Sequence, residues 1–202
     1  CNFIVRRTAM KIENNSVLLY SSQTNLVVDK LDKAGVCFNK KEFVVRKYEE
    51  VAPIFVAAYS WFVNEAQNYV KGPPEAEYPY WAFADINNVE SHADSTILKL
   101  NVPLTEAIYF DMQDWYKVLR LSYIGETAQD EAKFKKMLEA YGVKNESDVI
   151  LTNFYPQLKR EVQESWKRLF KHHENIKQGR NDEAINIQAA LWQIKKEWIH
   201  TL

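Results

Sequence analysis

The chain reads as a single α+β domain with a mixed or mostly antiparallel sheet and flanking helices. Three observations predict this. Strand-like runs cluster in the middle of the sequence with few residues between them, helical stripes lie before and after that cluster, and the regular strand–helix alternation that builds parallel sheets is absent. The 202 residues, 47% of them apolar, hold enough core material for one domain.

Ser16-Val17-Leu18-Leu19-Tyr20 suits a buried strand, and Ser21-Ser22-Gln23-Thr24 supplies oxygens to cap a helix. On that helix Val27, Leu31 and Ala34 share a stripe, and Gly35-Val36 closes it with a left-handed cap before a second strand near Val36-Cys37-Phe38. Pro53 fits the first turn of a helix, and Phe55, Tyr59, Phe62, Ala66, Tyr69 and Val70 continue it until Gly72-Pro73-Pro74. Tyr78 to Asp85 then reads as an extended, aromatic segment.

Ile97–Pro103 and Ala107–Phe110 are further strands. Asp111 or Asp114 caps a short helix carrying Trp115, Val118 and Leu119; Thr127 caps another over 127–141, stopped by Gly142; and Leu158, Val162, Trp166 and Leu169 stripe a third after Pro156. Lys171 to Asp182 is polar and turn-rich, a loop feeding the closing strand.

Charge excludes some functions. Lys plus Arg number 26 and Asp plus Glu 27, a net charge of −1, so no global basic field invites nucleic acid. No apolar run approaches the length that spans a bilayer, and the start lacks signal-peptide order. Cys1 and Cys37 are the two cysteines, far apart, which fits a reducing compartment and leaves no cysteine metal site. The expectation is a cytoplasmic protein with no cofactor and no membrane partner. Met10-Lys11-Ile12-Glu13 looks like a translation start, so residues 1–9 read as a tag or non-native leader and 10–202 as the domain.

The glycine-rich phosphate loops and the nucleophile elbow are missing. His172 and His173 are adjacent and point to different helix faces, so they read as solvated or helix-terminal rather than as zinc ligands. Asp111 and Asp114 could pair for acid–base chemistry, but capping is the simpler role. The aromatics Tyr59, Trp61, Tyr78, Tyr80, Trp81 and Phe83 could stack a flat ring or build a core, and core is favoured.

The closing segment Ile187–Ile194 carries apolar and amide side chains at both parities, as in a strand covered on both faces. Gln188 there is either locked to backbone or aimed into a cavity, since an unsatisfied buried amide costs roughly 1–3 kcal/mol.

Four segments together resemble a bacterial family known as a domain of unknown function: Leu19-Tyr20-Ser21-Ser22-Gln23 with Gly35-Val36; Tyr59-Ser60-Trp61 with Gly72-Pro73-Pro74 and Tyr78-Pro79-Tyr80-Trp81-Ala82; Leu98 to Pro103 with Phe110-Asp111 and Trp115; and Gln188-Ala189-Ala190-Leu191-Trp192. The resemblance spans about residues 16 to 200 and implies no activity. The start is also similar to ADP-ribosyltransferase-like folds, which hold NAD between two small sheets. Ser21 or Ser22 stands where that resemblance implies a His or Arg, and Gln188 and Gln193 where it implies a catalytic Glu, with Glu197 the nearest carboxylate.

These readings converge on a domain that binds a small, possibly nucleotide-like ligand in a pocket lined by Gln23, Tyr59, Trp81, Gln188 and Trp192 and edged by Arg180. The alternatives are a glycosyl- or ADP-ribosyl-transferase variant working through Ser22, Gln23 and Glu197 or Asp111, and a protein-interaction module. No catalytic residue, metal ligand or oligomeric state is assigned.

Overall fold

The computed structural model describes residues 10–180, 184 and 186–200; the suggested leader lies outside them. β1 (Ile12–Glu13) turns through Asn14 and Asn15 into β2 (Ser16–Thr24). Both asparagines have positive φ, 50° and 59°, as a two-residue hairpin of right-handed twist requires.

The first strand runs further than expected. Ser21 to Thr24, anticipated as helix-capping residues, belong to β2, and α1 (Asn25–Ala34) follows Thr24, whose side chain makes no capping bond. The reason is long-range: β5 (Ser95–Pro103) pairs with all nine β2 residues, from Ser16 opposite Pro103 to Thr24 opposite Ser95. Ser and Thr side chains favour a cap only when the backbone has no better ladder. Gly35 ends α1 in the left-handed conformation with φ 76°, its N–H donating to the Leu31 carbonyl, as anticipated.

β3 (Val36–Cys37) leads to α2 (Lys41–Tyr48), which the apolar pattern did not announce because it buries Val44 alone. α3 (Ala52–Ala66) takes Pro53 in its first turn and buries Ala58, Tyr59 and Phe62. β4 (Tyr80–Phe83), β5, β6 (Ala107–Asp111) and α4 (Met112–Leu119) come next. Asp111 caps α4 by accepting the Gln113 N–H at 2.8 Å, and Thr127 caps α5 (Ala128–Ala140) through the Asp130 N–H. α6 (Glu146–Leu151) and α7 (Pro156–Trp166) complete the helical layer.

The expected loop at Lys171–Asp182 contains α8 (His173–Lys177). His172 and His173 stand at its start, helix-terminal as one of the two expected readings had it, and are buried rather than solvated. The closing segment is two strands: β7 (Ile187–Leu191) lies in the main sheet, the chain turns at Trp192-Gln193, and β8 (Ile194–Lys195) pairs with β3.

Every ladder among the described residues is antiparallel. Across the curled sheet the order is β5, β2, β4, β7, β6, with β1 beside β2, so β7 separates β4 from β6. Each face of the sheet closes its own core. Val17, Leu19, Leu100, Tyr109, Ala189 and Leu191 pack with Leu31, Ile176 and Trp198 on the inner face. Ile108, Phe110 and Ala190 pack on the other with α3, α4, α5, α6 and α7, through Phe62, Trp115, Phe134, Val149 and Trp166. With helices segregated from one antiparallel sheet, the class is α+β.

β6 ends the sheet, and its outer edge is blocked from within. The Tyr109 N–H donates to His173 Nδ1 at 3.0 Å. That bond fixes the imidazole as the neutral tautomer, and burial pushes its pKa down to about 4, with nearby Glu174 opposing and Lys177 adding to the shift.

Two measurements follow. Trp166 is fully buried, donates to the Ser122 carbonyl at 2.7 Å and meets Trp61 edge-on, so Trp166→Ala should cost about 3–5 kcal/mol in urea unfolding, and the half-buried Trp61→Ala less. His173 has a folded pKa below the ordinary value of about 6.5, so its stabilisation is complete above that pH and is lost as pH falls towards about 4. The loss should be on the order of 3 kcal/mol, and His173→Asn, whose amide oxygen can still accept the Tyr109 N–H, should flatten that part of the stability profile.

Candidate functional site

Ladder register decides which side chains can share a site, because residues directly opposite in antiparallel strands project to the same face. Tyr20 is opposite Lys99 on one side and Phe83 on the other; Phe83 is opposite Gln188, and Gln188 opposite Phe110. One row on the helix-facing side is therefore Lys99, Tyr20, Phe83, Gln188, Phe110. The parallel row holds Ile97 and Ser22 on β5 and β2, then Trp81, Ala190 and Ile108.

The helices cover these rows unevenly. Over β7 and β6 the side chains are buried, whereas Trp81, Phe83, Tyr20, Ser22, Ile97 and Lys99 are half-buried. The connection of residues 84–94 carries the chain from one side of β2 to the other and is exposed at Ile86, Asn87 and 90–94.

Gln188 stands where the closed part of this face meets the open part. It is 3% exposed, and its Oε1 is enclosed without a hydrogen-bond partner. The neighbours along its row are two aromatic rings, so the strand offers the amide nothing to bond.

The aromatic wall beside it is ordered by hydrogen bonds. Trp81 Nε1 donates to Tyr59 Oη at 2.9 Å, and Tyr59, Phe62 and Trp115 all contact the Trp81 ring at centroid distances of 4.6 to 5.2 Å. Burial, reinforced by Tyr48 nearby, drives the Tyr59 hydroxyl pKa far upward, so it stays neutral. Tyr48 in turn stacks on Phe55.

Tyr59, Trp81 and Gln188 thus lie on one side of the sheet. Gln23 is on the other. It follows Tyr80 in its row, and its Nε2 donates to Ser21 Oγ at 2.8 Å, which donates to the Trp81 carbonyl at 2.7 Å. This relay holds β2 to β4 where their ladder is confined to the Tyr20–Phe83 pair. Trp192 is buried, donates to the Val70 carbonyl at 2.7 Å and lies so close to Gly72 that a Cβ there would sit 2.7 Å from the indole. Arg180 is exposed and bonds Asn175 of the preceding α8.

The residues weighed for transfer chemistry are not assembled. Ser22 bonds Ser95, Asp111 caps α4 three strands away across the sheet, and Glu197 is exposed in the turn before Ile199. No group of three or more His, Cys, Asp or Glu able to hold a metal occurs among the described residues. No helix there is long and apolar enough to cross a membrane.

Tyr20, Phe83 and Lys99 complete the row; Phe83 was weighed from the sequence within the aromatic cluster, whereas Tyr20 and Lys99 were not singled out. Lys99 carried a signal: it alternates with Leu98, Leu100 and Val102, which marks it as facing away from their core.

A family model for a domain of unknown function, DUF3841, matches residues 18–200. The chain belongs to the DUF3841 family. Comparison with curated proteins and with solved structures gives no match. The matched region of this DUF3841 domain contains β2 through β8 and so the whole row from Lys99 to Phe110.

Ser21 tests the inner-face relay. Ser21→Ala removes a donor to Trp81 and the acceptor of Gln23, leaving buried polar atoms unpaired, and should lower stability by about 1–3 kcal/mol in chemical denaturation. Because the relay lies behind the sheet, any ligand bound on the helix-facing side should keep its affinity.

Proposed function

We propose that this DUF3841 domain binds a small, flat, polar ligand on the helix-facing side of its sheet, with Gln188 as the recognising amide and Trp81, Phe83 and Tyr59 as the aromatic surroundings. The observation carrying this reading is the enclosed Gln188 Oε1 without a partner. A buried acceptor left unmade costs roughly 1–3 kcal/mol, and folds that carry such a cost place it at binding sites more readily than in plain cores. Half-buried Phe83 and Tyr20 give the approach, because the opposite neighbour, Phe110, is packed under the helices.

Nucleotide-like ligands belong to the class this surface suits, since aromatic faces accept flat rings and an amide reads their polar edges. A cytoplasmic setting is part of the same reading: Cys37 is a free, buried thiol that bonds the Tyr80 hydroxyl.

Gln188→Leu separates this role from a structural one. Leucine fills similar space without an amide to satisfy, so the variant should gain on the order of 1–3 kcal/mol in thermal unfolding. In a panel of nucleosides, nucleotides, amides and sugars, wild-type protein should show a ligand-induced rise that the variant lacks; saturation at a hundred times the dissociation constant adds about 2.7 kcal/mol. A destabilised variant with an unchanged ligand response would overturn the assignment.

A further inference from the structure

Electrostatics along the row distinguish its two ends. Gln188 at one end is neutral and flanked by rings. At the other end Lys99 is half-buried, and its side chain makes no hydrogen bond or ion pair among the described residues. His200 lies beside it, on the edge of β5 away from β2. The Leu100–Ile199 bridge and the bond from the His200 N–H to the Lys99 carbonyl, 2.8 Å, set His200 opposite Lys99. The bond from the Leu18 N–H to the Lys11 carbonyl, 3.1 Å, continues the β1 ladder and sets Lys11 opposite Leu18, one row along and across β2 from Lys99.

Glu13 is opposite Ser16, two rows from Tyr20. Asp85, two residues after Phe83, accepts the Asn87 N–H and Nδ2 at 2.9 Å within its own turn. An anion at Lys99 therefore meets an ammonium whose side chain has no ion pair among the described residues.

The span between the ends is three strand spacings, about 14 Å along the sheet, which curling and the four-carbon lysine stem shorten. Its floor is Phe83 and Tyr20, rings on which a base can stack. At the far end a glutamine amide can meet adenine with two hydrogen bonds, its oxygen accepting from the exocyclic amine. The enclosed Gln188 Oε1 requires such a donor.

We propose that the ligand is an adenine nucleoside monophosphate laid across β7, β4, β2 and β5, with its base at Gln188 and its phosphate at Lys99. This rests on the reading of Gln188 as a ligand-facing amide. Lysine can hold the phosphate directly, as a point charge.

Calorimetric titration of the full chain with AMP, adenosine and IMP tests both ends. AMP should bind roughly tenfold tighter than adenosine, which lacks the phosphate, and roughly tenfold tighter than IMP, which lacks the amine. Lys99→Met should erase the first ratio and keep the second; Gln188→Leu should erase the second. Lys99 is half-buried at the face's open end and its side chain makes no bond among the described residues, so Lys99→Met keeps the fold and the test stands even where the Gln188 variant is poorly behaved. Equal affinity for AMP and adenosine, an AMP preference surviving Lys99→Met, or no binding of any of the three would overturn the nucleotide assignment. The broader reading fails separately, if Gln188→Leu retains the response to a panel ligand of another class.

Discussion

β7 is pressed into two cores at once, and the molecule is arranged around that constraint. Ile187, Ala189 and Leu191 enter the inner core while Gln188 and Ala190 face the helices, and every one of the five is buried. The small side chains at 189 and 190 let β4 and β6 carry the bulk on both sides, with Tyr80 and Tyr109 inward and Trp81 and Phe110 outward. A strand so enclosed has no solvent to lend a polar side chain, which is why a single amide within it acquires meaning.

Two glutamines show how position, not residue type, sets that meaning. Gln23 and Gln188 are both buried on the sheet. Gln23 sits where β2 and β4 splay apart, and the hydroxyl of Ser21 fills the gap with a bond to each partner. Gln188 sits mid-ladder, where backbone groups are already paired and the neighbouring side chains are phenyl rings. The same chemistry is a strut in one place and an unanswered acceptor in the other.

Local signals in the sequence were legible because local physics decides them. Gly35 had to cap α1, Asp111 and Thr127 had to cap α4 and α5, and the mixed parity of Ile187–Leu191 had to mean burial on two faces. Long-range pairing was not legible. Nothing within Ser21–Thr24 reveals that nine residues of β5 will claim them for a strand, and nothing near His173 reveals that Tyr109 needs an acceptor. The site suffered most from this. Tyr59, Trp81 and Gln188 were chosen by residue type and share a face; Gln23, Trp192 and Arg180 were chosen the same way, but register, packing against Gly72 and a surface loop send them elsewhere. Register also supplied Lys99 and Tyr20, through partners far away in the chain.

The insertion of β7 between β4 and β6 also governs the order in which the fold can be completed. β4 and β6 precede β7 by the whole of α4 through α8, yet they touch the main sheet's centre through β7. Until Ile187–Leu191 leaves the ribosome, the edges that β4 and β6 will offer to it are unpaired, and unpaired edges invite pairing with other chains. β8 and Ile199 arrive later still, closing onto β3 and β5. The helical layer can gather early through contacts close in sequence, but the sheet forms as a late, non-local event, which makes the nascent chain's vulnerable interval a long one.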